Sequence, residues 1–141
     1  MKKTIVIMAI LMICMFSLTI YMANMERRMN INANLSNVSK IVWQNKSSLS
    51  YDILDKEDIN KIIDMVEQME GNYISVKDTK NCNHEDMYEL RFYQNNSLVF
   101  DFTVISENKI RIGTRECRLN NNLDLSTIDE IIKKVENNNK E

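Results

Sequence analysis

The sequence predicts an α+β protein: an N-terminal transmembrane helix or signal segment, then a small two-layer domain ordered helix, antiparallel sheet of three or four strands, helix. Three observations predict it. An uncharged run fills residues 5–23, apolar residues recur at helical spacing in two later segments, and strand-like alternation lies between those segments. At 141 residues the chain has room for one small domain beside the leader.

The leader comes first. Lys2 and Lys3 precede IVIMAILMICMFSLTIYMA, from Ile5 to Ala23. As a helix rising 1.5 Å per residue this run spans roughly 28 Å, close to the roughly 30 Å of bilayer hydrocarbon. A soluble helix keeps a polar side; this run has none, so residues 5–23 enter a membrane. Secretory cleavage requires small residues just before the cut. Tyr21 spoils the best-placed site, at Tyr21-Met22-Ala23, and Ser17-Leu18-Thr19 is a weak substitute. A lipid-modified cysteine needs a small residue before it, and Cys14 follows Ile13. An uncleaved anchor is therefore preferred to a cleaved leader that releases a secreted domain. Lys2 and Lys3 nearly balance Arg27 and Arg28 in the positive-inside count, and the short acid-free N-terminal flank favours export of the C-terminal bulk.

Residues 24–40, NMERRMNINANLSNVSK, read as an asparagine-rich stalk, residues 41–136 as the extracytoplasmic domain, and 137–141 as a polar tail. Ile41, Val42 and Trp43 restore bulk, with Trp43 expected in core or edge packing. The first soluble helix starts after Asp55, a capping residue, with Asp58 facing the positive end of the helix dipole. Ile59, Ile62, Ile63, Val66 and Met69 form its apolar stripe, and Gly71 reads as its stop. YISVK at 73–77 is a candidate strand. Tyr88, Leu90 and Phe92 then alternate with Glu89, Arg91 and Tyr93, Asn95-Asn96 makes a turn, and Leu98, Phe100, Phe102 and Val104 line the next strand. Ile110 and Ile112 alternate in a third, Gly113 marks a bulge or bend, and TRECRL resumes the strand. Ser126 and Asp129 have cap spacing before the stripe Ile128, Ile131, Ile132 and Val135, and Lys133 and Lys134 suit a helix C-terminus.

The chemistry-bearing residues point away from catalysis. The chain holds 18 basic and 20 acidic side chains, a net charge of −2, and no basic patch interleaved with aromatics, so nucleic acid is not an expected partner. It has no phosphate-binding loop, dinucleotide glycine fingerprint, HExxH helix or serine elbow, so no cofactor is expected. The stretch NCNHED at 81–86 gathers Cys82, His84, Glu85 and Asp86. With Cys117 these residues supply a zinc ligand set on paper, but Cys-x-His is not a recurring metal spacing, and a polar turn is the preferred reading. In an oxidising compartment Cys82 and Cys117 are expected to form a disulfide, closing a loop of about 36 residues for roughly 4 kcal/mol.

Glu89, Asp101 and Glu116 read as surface ion-pair partners of Arg91, Arg111, Arg115 and Arg118 rather than as a glycosidase-like acid pair. Asn-x-Ser motifs at Asn34, Asn37, Asn45 and Asn95 read first as a product of asparagine-rich composition. The function expected is that of a non-catalytic extracytoplasmic domain, held to a membrane through residues 5–23 or secreted. It would meet a protein partner on a surface containing Arg91, Tyr93 and Asp101. The alternatives are an accessory structural subunit of a membrane complex, and a small extracytoplasmic hydrolase or metal-binding protein.

Overall fold

The computed structural model describes residues 2–29, 31, 33–74 and 87–140. Helix α1 runs Lys2–Arg27, and within it Val6–Ala23 forms a stretch long and apolar enough to cross a membrane, with none of that stretch buried against the rest of the protein. This is consistent with either a membrane anchor or a cleavable signal segment. The hand-over from α1 is abrupt. Arg28 pairs directly with Asn72, and the Met29 amide donates to the Gly71 carbonyl at 2.9 Å. Leu35 is buried in the domain core, and Met29, Ile31, Ala33 and Val38 pack against it, so much of the asparagine-rich segment lies on the domain.

Among the described residues, the domain is built on a single open antiparallel sheet of seven strands. The strands are β1 (Lys40–Asn45), β2 (Ser50–Ile53), β3 (Gly71–Tyr73), β4 (Tyr88–Gln94), β5 (Ser97–Ser106), β6 (Lys109–Ile112) and β7 (Arg115–Leu119), in the spatial order β2-β1-β4-β5-β6-β7-β3. Helix α2 (Lys56–Glu67) lies between β2 and β3 in the chain, and α3 (Leu125–Asn138) follows β7. The expectation of three or four strands is thereby corrected to seven strands among the described residues, beside the three helices. The 87–119 region holds four consecutive antiparallel strands rather than the expected three, because Gly113 turns the chain back so that Arg115–Leu119 pairs with Lys109–Ile112 instead of resuming the same strand. What the expectation lacked is the β1–β2 hairpin before α2; the candidate strand at 73–77 meets β3 at Tyr73, and residues 75–77 lie outside the described residues.

Alternation divides the sheet into two unlike faces. Directly opposed residues share a face, so the pairings Ile41 with Ile53 and Phe92, Leu90 with Phe102, Val104 with Ile110, and Ile110 with Cys117 draw one continuous apolar surface. Ile59, Ile62, Ile63 and Val66 of α2 and Ile128, Ile131 and Ile132 of α3 are buried in the same core. Phe92 lies at its centre, with ring centroids 5.7 Å from Phe100 and 6.1 Å from Phe102. Trp43, half-buried, stacks on Tyr51 and tilts against Tyr88, both at 5.7 Å.

The caps and turns follow from side-chain chemistry. Asp55 caps α2 by accepting from the Glu57 and Asp58 amides at 3.0 and 3.1 Å. Those hydrogen bonds hold its carboxyl below the usual carboxylate range, Asp58 first. Asp58 itself is buried, and the Lys134 ammonium of α3 reaches it at 2.7 Å, fastening the two helices. Asp124, rather than the expected Ser126, caps α3, accepting from the Thr127 amide at 3.2 Å. Asn95 and Asn96 take φ of 49° and 65°, the left-handed pair that a two-residue hairpin turn demands, and asparagine tolerates it. Gly113, at φ 57°, supplies the same conformation in the turn between β6 and β7. Gly71 does not stop α2; it opens β3, where only a residue without a Cβ fits against β7.

The expected disulfide is also corrected. The described cysteines, Cys14 and Cys117, are both free thiols. Cys117 sits on β7 opposite Ile110 and Tyr73, on the core side of the strand, and is fully buried. Cys82 and the rest of NCNHED lie outside the described residues. Burial pushes the Cys117 thiol up to about 11 from an ordinary 9.0, with Arg115 opposing the shift. In the unfolded chain this thiol ionises first, so the domain should lose stability as pH rises from about 9 to about 11. Urea midpoints of the wild type and Cys117→Ala, compared across that window, should show a steeper alkaline fall for the wild type; parallel curves would remove the assignment.

Candidate functional site

The face turned away from α2 and α3 is built from the residues that alternate with the core set. Its composition is of another kind. Across the central strands Val42 faces Asp52 and Arg91, and Arg91 faces Asp101. The neighbouring row runs through Ser50, Gln44, Glu89, Thr103, Arg111 and Glu116. Tyr93 lies opposite Lys40, whose ammonium sits 5.0 Å from the centre of the phenol ring. The three residues expected to form an interaction surface, Arg91, Tyr93 and Asp101, are thus all on this helix-free face, and each is half-buried among its neighbours.

Charge on the face is organised by pairs. The Arg91 guanidinium donates to Glu89 at 2.6 Å, and that bond leads the interactions that hold its proton more tightly than usual. The Arg111 guanidinium donates to Glu116 at 2.8 Å, while Lys109 approaches the other carboxylate oxygen at 4.0 Å. Glu116 is buried even though it belongs to the helix-free side; Arg111 hydrogen-bonds one of its oxygens, while the other is buried without a hydrogen bond and meets Lys109 only as an ion pair. Lys40 reaches Asp52 at 3.4 Å. Such exposed and half-exposed pairs contribute little stability each, but they leave the central part of the face close to neutral and fix the rotamers of its long side chains.

A shallow depression of about 260 Å³ opens on this face among Gln44, Glu89, Arg91, Thr103 and Arg111. The expected ion pairing of Glu89 and Glu116 with arginines takes this form, whereas Arg115 instead lies over the Tyr73 ring, 3.7 Å from its centre. Lys40 and Gln44 belong to the face but were not singled out as surface partners from the sequence. Their signal was the alternation of residues 40–45, read only as restored bulk. Among the described residues, no group of three or more histidines, cysteines, aspartates or glutamates is arranged to hold a metal ion. His84, Glu85 and Asp86 lie outside the described residues. No family model matches the chain, no curated protein matches it, and no solved structure matches it.

Proposed function

We propose that the chain is a membrane-tethered, non-catalytic domain that presents the helix-free face of its sheet to a protein partner on the outer side of the membrane. The observation that carries this reading is the asymmetry of the sheet. One face is covered by two helices, and the other displays Tyr93 and, across its central strands, charged side chains already paired among themselves. The central part of that face, whose charges are internally matched, suits the near-neutral, hydrogen-bonding surface of a protein better than the phosphate backbone of a nucleic acid. Tyr93, an aromatic side chain steadied by Lys40, is the kind of residue that anchors such contacts.

A photo-crosslinking residue at position 93, introduced into the full-length protein in intact cells, should capture a discrete neighbour. The same probe at Lys133, an exposed position of α3, should not. The captured species should be lost in Arg91→Glu. Identical patterns from positions 93 and 133, or none from either, would sink the proposal.

A further inference from the structure

We infer that the tether ends in a binding site for the phosphate of an anionic lipid headgroup, built from Arg28 and Arg118 on either side of Asn72. The site is a product of strand register. Arg28 pairs with Asn72, Asn72 with Arg118, and Arg118 with Lys109. Directly opposed residues project to the same side of a sheet, so this row sets three cations side by side on the helix-free face, with the Asn72 amide between the first two. Adjacent strands lie roughly 4.8 Å apart, which places the two arginine positions about 10 Å from each other across Asn72. Both side chains can converge on one phosphate.

Three further observations point to a ligand. Arg28, Asn72 and Arg118 are exposed, and neither arginine forms an ion pair with another described residue, whereas Arg91, Arg111 and Lys109 all do. A crevice of about 730 Å³ opens beside Arg28 and Asn72, lined also by Met29, Glu70, Gly71, Tyr73 and Asn120, with Arg118 next to Asn72 just outside that lining. Glu70 is the one acid of that lining, and Asn72 and Asn120 add neutral hydrogen-bonding side chains.

The distance from the bilayer then selects the ligand. The apolar stretch ends at Ala23, and five residues of helical rise carry the chain about 7 Å farther to Arg28. The headgroup layer occupies roughly 5–7 Å on each side of the hydrocarbon. Arg28 therefore emerges at phosphate depth, and no linker separates it from the sheet edge. Basic side chains held at that depth favour anionic over neutral lipid by about fivefold each.

The inference rests on the tether reading, and the two are separable in one preparation. The full-length protein, extracted in mild detergent, is first weighed intact; loss of the leader defeats the tether itself. With the leader retained, native mass spectrometry after adding phosphatidylglycerol or phosphatidylcholine reads headgroup selectivity. The wild type and Lys133→Gln should retain phosphatidylglycerol at least about fivefold better, and Arg28→Gln/Arg118→Gln should lose most of that preference. A wild type without preference, or a double variant that keeps it, overturns the site. Displacement of the lipid by inorganic phosphate alone would make this a small-anion site and overturn the lipid assignment. Circular dichroism of the double variant separates loss of the site from loss of the fold.

Discussion

Replacing Phe92 with alanine is expected to destabilise the domain by about 3–5 kcal/mol, a large part of what holds a domain of this size together. Phe92 is 0% exposed, lies opposite Ile41 on one side and Phe100 on the other, and contacts the ring of Phe102. Truncation removes the transfer free energy of a benzyl group and also leaves a cavity. β1 and β5, hydrogen-bonded to β4 on either side, cannot close that cavity without giving up register. Thermal melts of the full-length protein in detergent should fall by roughly 15–25 °C. Leu98→Ala is the matched control. That side chain is 51% exposed at the end of β5 beside the Asn95-Asn96 turn, and its loss should change stability by no more than about 0.5 kcal/mol. Similar melts for the two variants would mean that Phe92 is not at the centre of the core.

Gly71→Ala is expected to cost about 2–3 kcal/mol by the opposite route, overcrowding. A Cβ at residue 71 would stand 2.4 Å from the Arg118 carbonyl oxygen and 3.1 Å from the carbonyl carbon. These are backbone atoms of the neighbouring strand, which no rotamer change can clear, so β3 must leave β7. Several hydrogen bonds depend on that contact. Met29 donates to Gly71, Asn120 to Glu70 and Ile74 to Glu116, at 2.9, 2.8 and 2.8 Å. Hydrogen exchange should therefore accelerate at the Met29, Ile74 and Asn120 amides well before it does at Phe92 or Phe102. Unchanged protection at Met29 in a Gly71→Ala variant that melts normally would refute the argument.

The two predictions rest on positions that differ greatly in how readily they can be read. Phe92 was legible because three alternating bulky residues on β4 and four on β5 leave little choice of face. The two soluble helices were legible for the matching reason, four or five apolar residues at helical spacing behind a polar capping residue. Gly71 was not. Glycine after a helix ordinarily means a stop, and the demand for a missing side chain comes from Arg118, which is remote in the chain. The β1–β2 hairpin escaped because Ser50–Ile53 is only four residues long and offers a single full alternation.

Interactions between distant parts of the chain account for the other misses. Asp58 looked like a local response to the helix dipole, yet its partner is Lys134, 76 residues away. Ser126 looked like a cap because it has cap spacing, but Asp124 reaches the Thr127 amide first and Ser126 donates to Asp124. The surface residues fall between these cases. That Arg91 and Tyr93 share a face is dictated by a period of two, whereas Asp101 joins them only through the pairing of β4 with β5. Lys40 and Arg111 needed the whole strand order.

The direct hand-over at Arg28 fixes an azimuth. Each residue of an α-helix turns the chain by about 100°. With no slack between Arg27 and the first bridged residue, the angle at which the sheet stands around the axis of a retained span is set by helical phase. One residue more or fewer in the span would swing the Tyr93 side of the molecule through more than a quarter turn, while two whole turns would bring it nearly back. The length of the apolar segment thus carries directional information as well as thickness: it determines which neighbours in the plane of the bilayer that side looks toward.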